Sequence, residues 1–192
     1  MVGRNISFNK EKSLNEAMYL FWKKGYDATC ISDLIKRMGI SRSTLYDSFG
    51  DKKQLFKLVL ENYMKYNFNK KELLFSSNSV KESLKSYFYK HIRERYSNDT
   101  PESCIITNSS ILIGHVDSSI EEMLINDFNE LEKSFKQVIK KGQCSGEISE
   151  KNDCEMIAYA LLSLNHSINV MSQFKKDKDL AIKLVNKTIE CL

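Results

Sequence analysis

The sequence of 192 residues has few of the residues that interrupt regular secondary structure: it contains one proline, Pro101, and seven glycines. An all-β sandwich or barrel needs many tight turns made from such residues, so the composition argues against these folds and favours long helices. No apolar run approaches the ~18 residues of a membrane span, and no hydrophobic signal segment follows residues 1–5. We therefore expect a cytoplasmic protein that does not contact a membrane.

Clusters of metal-binding or catalytic side chains are also lacking. The five cysteines are odd in number and form no Cys-x-x-Cys motif, which argues against a disulfide framework and a zinc knuckle. The three histidines stand alone, without His-x-x-x-His spacing, paired carboxylates at metal spacing or a glycine-rich phosphate loop. We expect reduced thiols, no metal, no cofactor and no enzymatic activity.

The residues that are present suit a folded protein with one basic end. Hydrophobic residues make up 42% of the chain, which is enough for a core and argues against disorder. Residues 1–71 contain 14 Lys or Arg and 7 Asp or Glu, a formal charge of +7, whereas residues 72–192 contain 15 and 18, a formal charge of −3. The asymmetry indicates that the N-terminal third meets a polyanion; a solvated lysine-rich surface is the alternative.

Apolar residues recur at helical spacing throughout the chain. Leu14, Ala17, Met18 and Phe21 share one face of a predicted helix over 10–24, which Asn9 or Ser7 caps and Gly25 ends. Further helices are predicted near residues 52–75, 80–97, 103–115, 119–141, 151–174 and 177–191. The predicted breaks between them lie at residues 76–79, 98–101 and 142–146.

Two short helices between residues 29 and 49 have the pattern of a helix-turn-helix unit. Thr29 is the predicted N-cap of the first, Gly39 ends it, and Ser41 caps the second. In the second helix, Leu45 and Phe49 face inward because they are four residues apart. The remaining positions that face outward are polar or aromatic: Arg42, Ser43, Thr44, Tyr46 and Ser48.

Residues 25–56 closely resemble the DNA-binding region of TetR-family transcriptional regulators, and the match extends over roughly residues 10–60. The points of agreement, in order, are Gly25, Thr29, Ile31, Asp33, Leu34, Gly39, Ile40, Ser41, Leu45, Tyr46, Phe49, Lys52 and Leu55. The chain departs from the pattern at Ile35 and Met38, which are usually alanines, and at Ser32, often an arginine.

The resemblance implies an all-α bacterial regulator in two parts. Residues 1–51 would form a three-helix DNA-binding head, and residues 52–192 a larger helical body that binds an effector and dimerises. The implied partners are a pseudo-palindromic double-stranded DNA operator, a second copy of the chain and a small organic effector of unknown identity. Repression released by the effector is the family's usual behaviour, with activation as the alternative.

The head offers residues of the types that bind DNA. Arg42 has the fork geometry to pair with guanine or to clamp a phosphate, and the Thr44 methyl group can pack on thymine. The family resemblance implies that Tyr46 bonds a backbone phosphate. The complete set of predicted DNA contacts is Thr29, Ser32, Arg42, Ser43, Thr44, Tyr46, Ser48 and Lys52. Asp47 among them either points aside or accepts from a cytosine amine, and both alternatives stay open.

The body carries two features with competing interpretations. Apolar stripes along residues 157–171 and 180–189 indicate either core or, by resemblance, a four-helix dimer interface. Aromatic and mildly polar residues of the middle helices form either core or the wall of an effector pocket. The pocket candidates are Tyr87, His91, Asn108, Ile111, His115, Phe128, Tyr159 and His166.

Three other classes of protein compete with the regulator. An enzyme lacks a recognisable base, although Cys104 follows a serine and invites a nucleophile interpretation. An oxidation sensor would use Cys104, Cys144 or Cys154. A helical binding protein without DNA function would leave the basic head unexplained.

Overall fold

A computed structural model of the chain describes residues 9–97, 101, 104–112 and 117–192. Within these ranges the backbone forms nine α-helices and no strand, which confirms the all-α class. The helices are α1 (Lys10–Lys24), α2 (Ile31–Met38), α3 (Arg42–Phe49), α4 (Lys52–Lys71), α5 (Val80–Arg95), α6 (Ile105–Leu112), α7 (Ser118–Cys144), α8 (Cys154–Phe174) and α9 (Lys178–Glu190), with a short 3-10 helix at Glu72–Phe75. None of the helices in the described ranges is long and apolar enough to cross a bilayer.

Two compact units divide the chain, Met1–Tyr63 and Met64–Leu192, and we call them the head and the body. The division expected from the sequence, after residue 51, coincides with the start of α4. The compact units instead meet within α4, because the apolar side chains of its first three turns complete the core of the head. That α4 belongs functionally to the body stays a prediction.

The first helix begins and ends as its sequence predicts. The side chain of Asn9 accepts a hydrogen bond from the Lys12 amide at 2.8 Å, so Asn9 is the N-cap. At the other end, Gly25 adopts a φ of 79° and its amide donates to the Phe21 carbonyl. The alternative cap, Ser7, lies outside the described residues.

The turn between α2 and α3 requires a glycine. Gly39 has φ 67° and ψ 33°, the left-handed conformation that side chains with a Cβ disfavour. Its amide donates to the Ile35 carbonyl at 3.0 Å and ends α2. Ser41 then caps α3 as predicted, its hydroxyl accepting from the Thr44 amide at 3.0 Å. This tight connection orients α3 relative to α2.

The predicted cap of α2 is wrong. The N-cap position is occupied by Cys30, which makes no side-chain capping bond. Thr29 is instead fully buried, and its hydroxyl donates to the Gly25 carbonyl at 2.7 Å. A β-branched residue with a satisfied hydroxyl therefore closes the α1–α2 loop from inside.

Aromatic side chains hold the core of the head together. Phe21 from α1 and Phe56 from α4 meet edge to face with ring centroids 4.9 Å apart. Trp22 of α1 and Tyr63 of α4 meet in the same edge-to-face manner, also with ring centroids 4.9 Å apart. Leu34, Met38, Leu45 and Phe49 complete the core from α2 and α3. The inward face predicted for α3 is thus confirmed.

The body is built on the long helices α7 and α8, against which α5 packs. Phe135 of α7 contacts Tyr87 edge to face at 5.5 Å and stacks on Phe88 at 5.9 Å, and all three side chains are buried. Leu161 of α8 and Val185 of α9 belong to the same apolar cluster. Part of each apolar stripe predicted for the last two helices is therefore core.

The start of α5 is held by a side chain from the α7–α8 connection. The Glu147 carboxylate accepts hydrogen bonds from the Ser79 hydroxyl and the Val80 amide at 2.6 Å and from the Lys81 amide at 3.0 Å. Burial raises the pKa of Glu147, but these hydrogen bonds outweigh burial and leave the pKa below its ordinary value. The carboxylate satisfies amides that a helix N-terminus leaves without partners.

The predicted break at residues 142–146 begins too early. Helix α7 continues to Cys144, so Gly142 lies inside it. A Cβ at Gly142 would approach Ile148 to 2.8 Å and Val80 to 3.3 Å. Close packing, rather than a turn, therefore requires glycine here. The predicted break at 98–101 lies mostly outside the described residues, as do the predicted ends of α6.

Candidate nucleic-acid interface

The outward face of α3 carries side chains that the protein itself does not use. Arg42 is exposed and makes no hydrogen bond or ion pair with the residues that the structure describes. Tyr46 is 46% exposed, and within the described chain its hydroxyl likewise has no partner. Ser48 is half-buried. An arginine fork and a phenolic hydroxyl are therefore available to an external partner.

Hydroxyl groups at the start of α3 form a local cluster around Ser41. The Ser41 hydroxyl oxygen lies 2.8 Å from the Ser43 hydroxyl and 2.8 Å from the Thr44 hydroxyl. These contacts fix the rotamers of Ser43 and Thr44 before any ligand arrives. The cluster leaves Ser43 exposed and Thr44 half-buried beside Arg42.

The two DNA contacts predicted near the first short helix, Thr29 and Ser32, differ in the exposure of their side chains. Thr29 has no exposed surface, so its side chain acts inside the head. Ser32 is exposed in the first turn of α2, with its hydroxyl 2.8 Å from the Cys30 thiol. Of these two residues, only Ser32 has a side chain that is exposed at the surface of the head.

Lys52 opens α4, where its ammonium lies over the Tyr26 ring, 4.3 Å from the centroid. A capping box that was not predicted from the sequence lies beside it. The Asp51 carboxylate accepts from the Gln54 amide at 2.8 Å, and the Gln54 side chain accepts from the Asp51 amide at 3.0 Å. The Asp-x-x-Gln spacing was the available signal. Lys52 therefore extends from a well-capped helix start.

Two ion pairs neutralise part of the head's basic surface. Lys24 lies 2.7 Å from Asp33, and the hydrogen bond between them raises the pKa of Lys24 and lowers the pKa of Asp33. Arg37 lies 2.6 Å from Glu16 and 4.9 Å from the Tyr19 ring centroid. These four charged side chains line a groove of about 660 Å³ between α1 and α2. The ion pairs make this groove a poor match for an apolar effector.

Two predicted pocket residues of the body lie in a buried polar cluster. Tyr87 donates to the Asn165 side chain at 3.0 Å, and burial raises its pKa. His91 lies 3.1 Å from the Asn165 carbonyl and 3.2 Å from the Lys70 ammonium. Burial, then Lys70 and Arg95, lower the pKa of His91, so the ring is neutral and accepts from Lys70. Both side chains are satisfied inside the body.

A second cluster joins α6, α7 and α8. The His166 ring stacks on Phe128 with centroids 4.1 Å apart and planes within 6°. Nδ1 of His166 is 3.0 Å from the Thr107 hydroxyl, which also accepts from the Asn169 side chain at 3.0 Å. Thr107 and Asn169 were not among the predicted pocket residues. Polar residues on the buried face of α8 were the signal that would have found Asn169.

The other pocket candidates lie apart from these clusters. Tyr159 is 65% exposed on α8, so it does not line an interior pocket. Asn108 is half-buried on α6. Ile111 lies on the same helix, but its side chain is outside the described part, and His115 lies outside it altogether.

Helices α8 and α9 also expose apolar side chains at helical spacing. On α8 these are Met156, Tyr159, Met171 and Phe174, the last 75% exposed. On α9, Leu180 is 57% and Leu184 is 50% exposed. Exposed large apolar side chains grouped on two helices are typical of a protein–protein interface.

Family models match both units. Residues 14–59 match the model described as bacterial regulatory proteins, tetR family. Residues 82–186, more than half of the chain, match the model described as tetracyclin repressor-like, C-terminal domain.

Individual relatives agree with these matches. The chain is 28% identical over 189 residues to the HTH-type transcriptional repressor ComR of Escherichia coli, covering 97% of this chain and 90% of that protein. It is 27% identical to the HTH-type transcriptional regulator YezE of Bacillus subtilis, with 93% of each covered. A cysteine mutant of the TetR family transcriptional regulator CifR, complexed with 26-bp double-strand operator DNA, has the same fold: TM-score 0.88, 20% identity, 98% of each chain covered.

Proposed function

The chain belongs to the TetR family and is a DNA-binding transcriptional regulator, and we propose that it is a cytoplasmic repressor that binds a pseudo-palindromic operator as a homodimer and dissociates when a small organic effector binds its body. The observation that carries the proposal is the outward face of α3. There Arg42 and Tyr46 are exposed and make no bond to any described residue of their own chain. Such a helix can enter a major groove without first breaking internal contacts.

Each side chain of this face has a role in the proposal. Arg42 pairs with a guanine edge or clamps a phosphate, and the ordered hydroxyls of Ser43 and Thr44 contact neighbouring bases or phosphates. Tyr46 donates to a phosphate oxygen, as the family resemblance implies. Lys52 supplies a cation at the start of α4, where the helix dipole also favours an anion.

Repression rather than activation is supported by the relatives. ComR carries the name of a transcriptional repressor and aligns with nearly all of this chain. CifR was solved on double-strand operator DNA, and its fold covers this chain almost completely. Both facts describe those proteins; the name of ComR supports repression here, and the CifR complex supports binding to operator DNA.

The homodimer is supported by the exposed apolar faces of α8 and α9. Phe174, Met156 and Leu180 each expose more than half of their surface, which is costly for a monomer in water. Pairing the two helices with their copies about a two-fold axis would bury these side chains. It would also present two copies of α3 to two operator half-sites.

The effector acts in the proposal through α4, the helix that runs from the head into the body. The last turn of α4 carries two lysines that pair with different helices of the body. Lys70 lies 3.2 Å from Glu94 on α5, and Lys71 lies 3.3 Å from Asp127 on α7. An effector that stabilises one arrangement of these helices would bias α4, with a coupling free energy of typically ~1–3 kcal/mol.

Binding of the purified protein to the DNA upstream of its own gene tests the proposal. We expect a saturable gel shift that prefers a two-fold site and weakens as salt increases. A second arm measures a reporter driven by that DNA in cells with and without the regulator gene; expression should rise in its absence. Failure to bind duplex DNA even at low salt would refute the DNA-binding role, and a fall in expression would indicate activation.

A further inference from the structure

A chain of hydrogen bonds in the body ends in two atoms that have no partner among the described residues. The Asn169 side-chain amide donates to the Thr107 hydroxyl oxygen, and that hydroxyl lies 3.0 Å from Nδ1 of His166. Beyond these contacts, Oδ1 of Asn169 and Nε2 of His166 are shielded from solvent and hydrogen-bond to nothing in the described chain. Asn169 is 1% exposed. Buried polar atoms are nearly always satisfied, so this pair calls for an explanation.

The hydrogen-bond chain determines what the two atoms offer. Thr107 accepts from Asn169, and we assign its own hydroxyl proton to Nδ1 of His166, 3.0 Å away. The ring then carries its proton on Nε2, which becomes a donor, while Oδ1 of Asn169 is an acceptor. Rotating the amide by 180° exchanges these roles and again leaves one donor and one acceptor.

The two atoms are also held in place. His166 and Asn169 are three residues apart on α8, so their side chains leave the same face of the helix. The parallel stack on Phe128 fixes the His166 ring, and Thr107 fixes the Asn169 amide. A donor and an acceptor held on one face of α8 are suited to recognise one complementary group.

We propose that His166 and Asn169 are the polar recognition point of the effector site, and that they bind a neutral group that both accepts and donates a hydrogen bond, such as a primary carboxamide, a lactam edge or a phenolic hydroxyl. The inference rests on the proposed function only in identifying the ligand as the effector. Phe128 and the His166 ring supply a flat apolar wall, so an aromatic or planar body beside the polar group fits the site.

The preference for a neutral group follows from the charges around the pair. Burial lowers the pKa of His166 to about 4, against the opposing effect of Asp127, so the ring is uncharged at neutral pH. A carboxylate would meet the Asn169 oxygen, which also carries negative partial charge. An ammonium group would satisfy Asn169 but leave the donor on His166 without an acceptor.

The position of the pair links it to α4. Phe128, which stacks on His166, follows Asp127 directly in α7, and Asp127 pairs with Lys71 at 3.3 Å. A ligand that shifts Phe128 would therefore also shift the neighbouring Asp127, which is the ion-pair partner of Lys71. This contact sequence gives the effector a physical route to the helix that enters the head.

Calorimetric titration of the full-length protein with four small aromatic compounds tests the inference. Benzamide offers a donor and an acceptor, N,N-dimethylbenzamide only an acceptor, benzoate a charged acceptor, and toluene neither. We expect benzamide to bind at least about ten-fold more tightly than the other three. In the variants His166→Phe and Asn169→Leu that preference should be lost, whereas the matched Asn186→Leu variant on α9 should keep it.

Two results with the wild-type protein would contradict the inference. Equal binding of benzamide and N,N-dimethylbenzamide to the wild-type protein, or no binding of benzamide up to about 10 mM, would show that the pair does not recognise such a group. This comparison uses no variant, so a failure of a variant to fold cannot obscure it. A parallel gel shift without ligand reports DNA binding separately, so a failure of the proposed function is distinguishable from a failure of this inference.

Discussion

Replacing Arg42 with alanine separates DNA recognition from folding. Because Arg42 is exposed and has no partner among the described residues, its loss should change the free energy of unfolding by no more than about 0.5 kcal/mol. A bidentate arginine–guanine contact is worth about 1–3 kcal/mol. A homodimer carries two copies of α3, so the expected loss per operator is about 2–6 kcal/mol, or at least about a 30-fold weaker affinity.

Fluorescence anisotropy with a labelled operator measures this loss. The titration is repeated on duplexes in which each base pair of both half-sites is changed in turn. If Arg42 contacts a base, the Arg42→Ala protein should bind all duplexes that differ at one symmetric base-pair position with equal affinity. The wild-type protein should bind the same duplexes with different affinities. Lys23→Ala, which removes an exposed cation from the last turn of α1, serves as the control of equal charge.

Two results would contradict the reasoning. Uniform weakening on every duplex, with a salt dependence reduced by about two ions (one for each copy of α3), would make Arg42 a phosphate contact. Unchanged affinity on all duplexes would show that the start of α3 does not lie in the groove, and the proposed docking of the head would be wrong.

Three further substitutions test other parts of the structure. Tyr46→Phe should weaken binding to every duplex by about 2 kcal/mol without changing the preferred sequence, because it removes a phosphate hydrogen bond of about 1 kcal/mol from each of the two copies of α3. Glu147→Gln should lower the free energy of unfolding at pH 7 by about 1 kcal/mol, since the charged acceptor of three hydrogen bonds at the start of α5 becomes neutral. Phe174→Glu should convert the dimer to a monomer in sedimentation, because it places a charge in the exposed apolar face of α8.

The Glu147 substitution has a control in the same connection, and each of the other two has an outcome that would contradict it. Tyr46→Phe fails as a phosphate test if it alters base preference. For Glu147, the folded pKa is lowered, so its stabilisation is present above the unfolded pKa of about 4.5 and is lost as pH falls below that value. Glu150→Gln in the same connection should leave that pH dependence intact. A Phe174→Glu protein that remains dimeric would remove α8 from the interface.

The head could be read almost completely from its sequence because its signals are local. Asn9, Ser41 and Gly39 each act on amides or carbonyls within a few residues, and the structure shows them doing so. The prediction that Thr29 caps α2 was wrong. A threonine before a helix is a good cap by type, but here its hydroxyl finds a carbonyl four residues earlier in the loop. That choice depends on how the loop packs, which spacing alone does not specify.

The body was harder to read because its polar residues find partners far along the chain. The Tyr87 hydroxyl bonds to Asn165, 78 positions away, and Thr107 joins residues 59 and 62 positions away on α8. No periodicity encodes such pairings, so aromatic and polar residues were divided between core and pocket by type alone. Type placed His166 among the pocket candidates, and the structure places it in a polar cluster with Asn169, which the same rule missed. Tyr159 was chosen by the same rule and lies on the surface.

The two lysines at the end of α4 differ in how easily an effector can act on them. Lys70 and Glu94 expose 8% and 9% of their side chains, and desolvation lowers the pKa of Lys70 against the attraction of Glu94. Breaking a pair this deeply buried costs about 3–5 kcal/mol, more than typical effector coupling supplies. Lys71 and Asp127 expose 18% and 16%, so water can replace the lost partner at smaller cost. In the proposed mechanism, a shift of α7 at Asp127 is therefore the less costly way to move α4, and we expect Lys70 to keep the helix paired with α5.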